Sequence, residues 1–93
     1  MILNNIEIVR QTKELIKLRL KQAPDFVIFK SIEAQLDYVL DILEGNTMDR
    51  SKLKDINVGH YAVHEFEESD PELANKLKKI QYFVYKMNGG IIR

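Results

Sequence analysis

The chain contains no cysteine and no tryptophan, only two prolines and four glycines, and no excess of either charge among its 93 residues. Without cysteine there is no disulfide framework, no thiolate zinc site and no cysteine nucleophile. A formal charge of zero leaves no global field to draw the chain to nucleic acid or to a membrane surface. No apolar run approaches membrane-spanning length. The start, MILNNIEIVRQTK, turns polar after three residues and has no signal-peptide core, so the expected compartment is the cytoplasm. What is present is 45% hydrophobic and 30% charged residues. That is enough apolar material for one core and too little net charge for disorder. We expect a single domain over residues 1–93.

Charge is nevertheless dealt out in blocks. Residues 1–24 carry +3, from Arg10, Lys13, Lys17, Arg19 and Lys21 against Glu7 and Glu14. Residues 25–49 carry −5, residues 50–64 carry +2, residues 65–72 carry −5 and residues 73–93 carry +5. Local patches of this kind decide which partner surface is tolerated.

The punctuation and periodicity are helical. A first helix is expected from Asn4 or Asn5, either of which can cap, to about Gln22, with Ile6, Val9, Ile16 and Leu20 on one stripe. Leu15 and Leu18 widen that stripe, and Lys13 interrupts it with a stem able to snorkel. Ala23-Pro24-Asp25 breaks the helix, and Asp25 can cap the next one. The second helix is expected from about Phe26 to Glu44, with Phe29, Ile32, Leu36, Val39 and Leu43 as its seam and Gly45-Asn46 as its stop.

Thr47 or Asp49 is expected to cap a short third helix through Ile56, and residues 57–59 to form a tight turn. Residues 59–66 read as strand or helix; helix is chosen because a lone strand would have no partner. It would bury Ala62, Val63 and Phe66. Ser69 or Asp70 caps a last helix with Pro71 in its first turn and a seam of Leu73, Leu77, Ile80, Val84 and Met87. Gly89-Gly90 ends it, leaving Ile91-Ile92-Arg93 as a tail. The expected fold is all-α, a compact bundle of about four to five helices.

Catalytic signals are weak. His60 and His64 stand four apart with Glu67 and Glu68 nearby, the geometry of a two-histidine metal site. The interval between them is Tyr-Ala-Val, without the glutamate of the HExxH motif, so metal-dependent hydrolysis is rejected. No nucleophile elbow and no phosphate-cradling loop is present, and nothing selects one carboxylate pair for acid–base work. No enzyme activity, cofactor or metal is expected. The basic residues of the first helix lack interleaved aromatics, which argues against nucleic-acid binding.

The acidic pattern is more informative. Glu33, Asp37 and Asp41 recur every four residues, a spacing at which like charges repel by a few tenths of a kcal/mol, roughly. A second block holds Glu65, Glu67, Glu68, Asp70 and Glu72 within eight residues. A solvated face explains one such block. Two blocks in a neutral chain point to a surface that meets a basic partner.

Residues 31–85 carry a resemblance. Its pieces are S-x-E-x-Q-L-x-Y (Ser31, Glu33, Gln35, Leu36, Tyr38) and D-R-S-x-L (Asp49, Arg50, Ser51, Leu53). The densest is G-x-x-A-V-x-E-F-x-E-x-D-P-E-L, from Gly59 to Leu73. In order and spacing the segment resembles the Pseudomonas-type type VI secretion immunity proteins that neutralise an NAD(P)+ glycohydrolase effector. The resemblance implies a small all-α cytoplasmic protein without catalysis of its own, which binds a cognate toxin domain and blocks its active site. A site built for a dinucleotide offers positive groups. Glu33, Asp37, Asp41, Glu65, Glu67, Glu68 and Asp70 are therefore the candidate toxin-binding residues, acting as an acidic decoy. His60, Tyr61 and His64 depart from the family pattern at positions that set cognate specificity. The competing reading is a helical adaptor or dimerisation module without a toxin. Ile8, Tyr82 and Tyr85 are spare apolar positions that fit a homodimer contact or extra core.

Overall fold

The computed structural model describes residues 4–89. The expected Gly90 stop and the tail Ile91-Ile92-Arg93 lie outside the described residues. Within them every regular element is helical, with no strand.

Helix α1 runs Asn5–Gln22. Asn4 is its cap: the Glu7 N–H donates to the Asn4 side-chain oxygen at 2.9 Å, satisfying one of the orphan donors of the first turn. Val9, Thr12, Leu15 and Ile16 are buried. Thr12 is tolerated inside because its hydroxyl donates to the Ile8 carbonyl at 2.7 Å. Leu18 does not widen the stripe: it is 54% exposed, because it lies two residues from the buried Ile16, most of the way round the helix from the seam.

Helix α2 is Val27–Leu43. Asp25 does not cap it. The cap position is Phe26, with no side-chain bond, and the entry is fixed by packing: the Phe26 ring meets Phe29 edge-on at 4.9 Å. Phe29, Ile32, Leu36 and Val39 are buried as a seam, while Leu43 is packed at its edge. Gly45 follows with φ +77°. The Asn46 N–H reaches back to the Asp41 carbonyl at 2.9 Å, a helix stop that needs a left-handed residue at glycine's position.

The expected helix from Thr47 or Asp49 to Ile56 is not formed. Only a 3₁₀ turn, Leu53–Asp55, is present. The two would-be caps bind locally instead: Thr47 Oγ1 accepts from the Asp49 N–H at 3.2 Å, and Asp49 Oδ1 from the Ser51 N–H at 2.9 Å. Such side-chain turns compete with helix, and the stretch is too short to repay nucleation.

Residues 57–59 are likewise not a turn. Helix α3 starts at Val58 and runs Val58–Tyr61, then widens into a π-helical turn, Ala62–Phe66. The stretch is helical, as the lack of a strand partner implies. Ala62 and Phe66, four residues apart, share the buried face, and Val63, one residue past Ala62, is 50% exposed. Helix α4, Pro71–Met87, is capped by Asp70, whose carboxylate accepts from the Leu73 N–H at 3.4 Å. Leu73, Leu77, Ile80 and Val84 are buried along it and Met87 packs at the edge.

Two ion pairs link α1 to α2: Arg10 with Glu44, and Lys13 Nζ with Asp37 at 2.6 Å. Arg19 on α1 meets Asp70 at the head of α4. These pairings run α1 antiparallel to both α2 and α4, with their seams enclosing one core.

Candidate functional site

The acidic blocks have first to be placed against the basic ones. Helix α1 carries the N-terminal positive block and α2 the first negative block, and they pack side by side. Part of the acidic pattern is therefore answered inside the fold. Asp37 is held by Lys13, whose side chain is largely covered, so the expected snorkel ends on a carboxylate. Glu67 pairs with Lys78 of α4.

Asp70 is the most engaged acid. Arg19 Nε donates to its Oδ2 at 2.7 Å and Nη2 to its Oδ1 at 3.3 Å, a two-pronged bond. That hydrogen bond is the main reason the Asp70 carboxyl lies below its ordinary value, and it raises the Arg19 guanidinium in turn. Asp70 joins α1 to α4 while capping α4.

The other candidates are less committed. Among the described residues Glu33, Asp41, Glu65 and Glu68 make no ion pair. Asp41, Glu65 and Glu68 are exposed and Glu33 is half-buried. Asp41 accepts a long bond from the Asn46 amide at 3.4 Å. Glu33 lies about one turn beyond Phe29, whose ring stacks on Phe66 of the π turn at 5.6 Å. The start of α2 and the second acidic block are thus brought to one end of the molecule. Asp41 lies farther along, about 12 Å from Glu33 by helical rise.

The rings of His60 and His64 come together, with centroids 4.2 Å apart, and both are exposed. The described residues bring no group of three or more metal-ligating side chains together. Of the apolar positions that fit a homodimer contact, Ile8 and Tyr82 fall on one face. They line an open groove of about 500 Å³ between α1 and α4, with Lys78, Lys79 and Lys86 at its edges. The Lys86 ammonium lies 4.6 Å from the Tyr82 ring centroid. Tyr85 is exposed beside a separate hollow that includes Leu53 and Gln81.

Sequence reasoning missed a set of side-chain stitches that carry residues 49–59 across the bundle. Gln35 of α2 and Asn57 exchange bonds, Nε2 to Oδ1 at 2.7 Å and the Asn57 N–H to Oε1 at 2.8 Å. Gln81 of α4 accepts from the Gly59 N–H and donates to the Ile56 carbonyl, both at 3.0 Å. The Tyr38 hydroxyl donates to the Asp49 carbonyl at 2.8 Å and accepts from the Lys52 N–H at 3.2 Å. Arg50 donates to the carbonyl of Met87 at 3.5 Å, at the end of α4. Gln35, Tyr38, Asp49, Arg50 and Ser51 all belong to the short motifs read from the sequence. Their part here is to hold the scaffold.

Four matches bear on what this scaffold is. A family model described as Tsi6 matches residues 4–86. "Immune protein Tsi6" of Pseudomonas aeruginosa is 35% identical over 86 residues, covering 92% of each chain. A chain in the "Structure of Tse6 in complex with Tsi6" superposes with a TM-score of 0.89 at 33% identity, covering 97% of this chain and 96% of that one. The "Structure of Tsi6 from Pseudomonas aeruginosa" gives a TM-score of 0.83 at 35% identity over 88% of this chain and 95% of that one.

Proposed function

The chain belongs to the Tsi6 family, and on that premise we propose that it is an immunity protein, which binds a cognate secreted toxin domain and blocks that domain's active site by direct contact. The observation that carries this reading is the near-complete superposition on a chain solved in the complex of Tse6 with Tsi6. The partner we propose is an NAD(P)+ glycohydrolase delivered by type VI secretion, the class implied by the motifs at residues 31–38, 49–53 and 59–73. The protein acts without catalysis of its own, in the cytoplasm, on a protein partner rather than on nucleic acid. No helix among the described residues is long and apolar enough to cross a membrane.

The acidic residues supply the proposed mode of block. A cleft that holds a dinucleotide must present positive charge to the pyrophosphate, and an inhibitor that brings carboxylates satisfies that charge in its place. Glu33, Asp41, Glu65 and Glu68 are the carboxylates best able to do so, because no cation among the described residues pairs with them. Asp37, Glu67 and Asp70 would have to exchange Lys13, Lys78 and Arg19 for a partner cation.

The test is co-expression in bacteria with the toxin domain encoded beside this chain's gene, scored as survival. Rescue supports the reading, and failure to rescue removes it. Reversing charge at Asp37 with Asp41, and at Glu67 with Glu68, should weaken protection; undiminished protection by both variants would discard the acidic decoy while leaving immunity intact.

A further inference from the structure

We propose that the centre of the toxin-docking surface is the outer side of α3 and its π-helical turn, an island formed by His60, Tyr61, Val63 and His64. This rests on the immunity reading and adds the place of contact.

The argument begins with the backbone. A π turn places one extra residue in a helix and is uncommon, because it loosens the regular hydrogen-bond ladder. Here Ala62 and Phe66 lie in the core and Val63 faces outward, 50% exposed. Nothing in the core requires Val63, and its β-branch is unfavourable for helix formation. Three residues before it stands His60, and directly after it His64, with the two imidazoles 4.2 Å apart and exposed. Tyr61, at the inner edge of the patch, is half-buried and packs against the core, with its ring 6.3 Å from that of His60. Three rings and a valine on one short turn give a contact patch with few rotatable bonds, so little side-chain freedom is lost on docking.

The chemistry of the occupant follows from what surrounds the patch. Glu65 and Glu68 flank it without an ion-pair partner among the described residues, and Glu67 is held at one side by Lys78. A compact apolar and aromatic centre with a charged rim is the usual anatomy of a specific protein interface. An unpaired acidic rim selects a basic approaching surface. A second copy of this chain fits poorly, since an isologous contact would set these acids against themselves. The occupant is therefore the toxin domain, through a positively charged region that includes a small apolar recess for Val63.

The Tyr82 groove is the rival face. Its lysines Lys79 and Lys86 would repel a basic surface, while Lys78 is paired with Glu67.

The experiment measures affinity of the full chain for the toxin domain encoded beside its gene, with thermal melting followed by circular dichroism for each variant. Val63→Ser, and His60→Ala combined with His64→Ala, should each raise the Kd at least tenfold while melting as the parent does. Both alter exposed side chains, so the fold tolerates them. Tyr82→Ala and Met48→Ser, exposed apolar positions elsewhere, should stay within threefold. If the two island variants bind within threefold of the parent, or if Tyr82→Ala weakens binding as much as they do, the island is not the docking centre. A parent that does not bind this toxin domain at all overturns the immunity reading, and this inference with it.

Discussion

At the scale of single residues, Gly59 and Asp70 show how much of the acidic, glycine-marked stretch at residues 58–73 is structural. Gly59 has no positive φ and makes no turn. A methyl group there would lie 2.8 Å from Gln81 Cγ and 2.9 Å from its Cβ, closer than carbon atoms approach. The Gln81 Cβ is fixed to α4, so rotation of its side chain does not relieve the clash. Gly59→Ala should therefore destabilise by about 1–3 kcal/mol in urea unfolding. Gln81→Ala should cost about as much by stranding the Gly59 N–H and the Ile56 carbonyl. Because both break one clamp, the double variant should lose clearly less than the sum.

Asp70 makes a pH prediction. Its folded carboxyl lies below the ordinary 3.8, first because Arg19 donates to it and then through the Leu73 N–H and the Arg19 charge, with burial opposing. A carboxyl depressed by folding stabilises fully above its unfolded value, and that contribution is lost as pH falls through the folded one. Asp70→Ala should be less stable than the parent at neutral pH by about 1–2 kcal/mol, the worth of a cap plus a partly exposed pair. The gap should narrow once pH drops well below 3.8, and a gap that stays constant down to acid unfolding would contradict it.

At the scale of elements, what was legible depended on periodicity. Helices α1, α2 and α4 were readable to within a residue or two, because their seams repeat over four or five turns and their boundaries are written in the caps Asn4 and Asp70-Pro71 and the stop at Gly45. The segment between residues 46 and 66 was less readable, because its conformation is imposed by side chains on other elements. The string Thr47–Ile56 contains capping residues, but Tyr38 of α2 holds it as a loop, and Gln35 pins Asn57 just beyond it. Val63 is exposed because it stands one residue past Ala62, off the face that Ala62 and Phe66 share, and a segment this short has no repeating seam to reveal that face. The element view makes two measurements specific. Tyr38→Phe keeps the ring and loses both bonds, and should cost about 1 kcal/mol. Amide exchange should rise in residues 47–52 and stay unchanged along α1. Phe66→Ala removes the ring that stacks on Phe29 and meets Phe26 at 6.3 Å. It should cost about 3–5 kcal/mol by the usual penalty for an emptied aromatic site, showing that the π turn is held by its buried face.

Over the whole molecule, the candidate site was only half legible because a charge pattern along a chain does not say which charges face each other. The positive block of α1 and the first negative block, on α2, were both visible; that Lys13 and Arg10 would answer Asp37 and Glu44 depended on α1 lying antiparallel to α2. The fold thus sorts the acids into those spent on internal pairing and those left to act outward, and the two groups should differ in kinetics. Charges that remain unpaired on a surface raise the rate of encounter with an oppositely charged partner and do so less as salt rises. Paired charges present a near-neutral dipole and steer little. Glu65→Gln with Glu68→Gln should therefore lower the association rate with the toxin domain several-fold at low ionic strength. It should also flatten the rate's dependence on salt, with a smaller change in dissociation. Asp37→Asn should leave that salt dependence close to the parent's, and instead lower folding stability slightly by stranding Lys13. Stopped-flow association from low to physiological salt separates the two outcomes. Equal salt slopes for the parent and the Glu65/Glu68 variant would mean that toxin and inhibitor meet without electrostatic guidance from this face, and that the negative block serves only to keep it solvated.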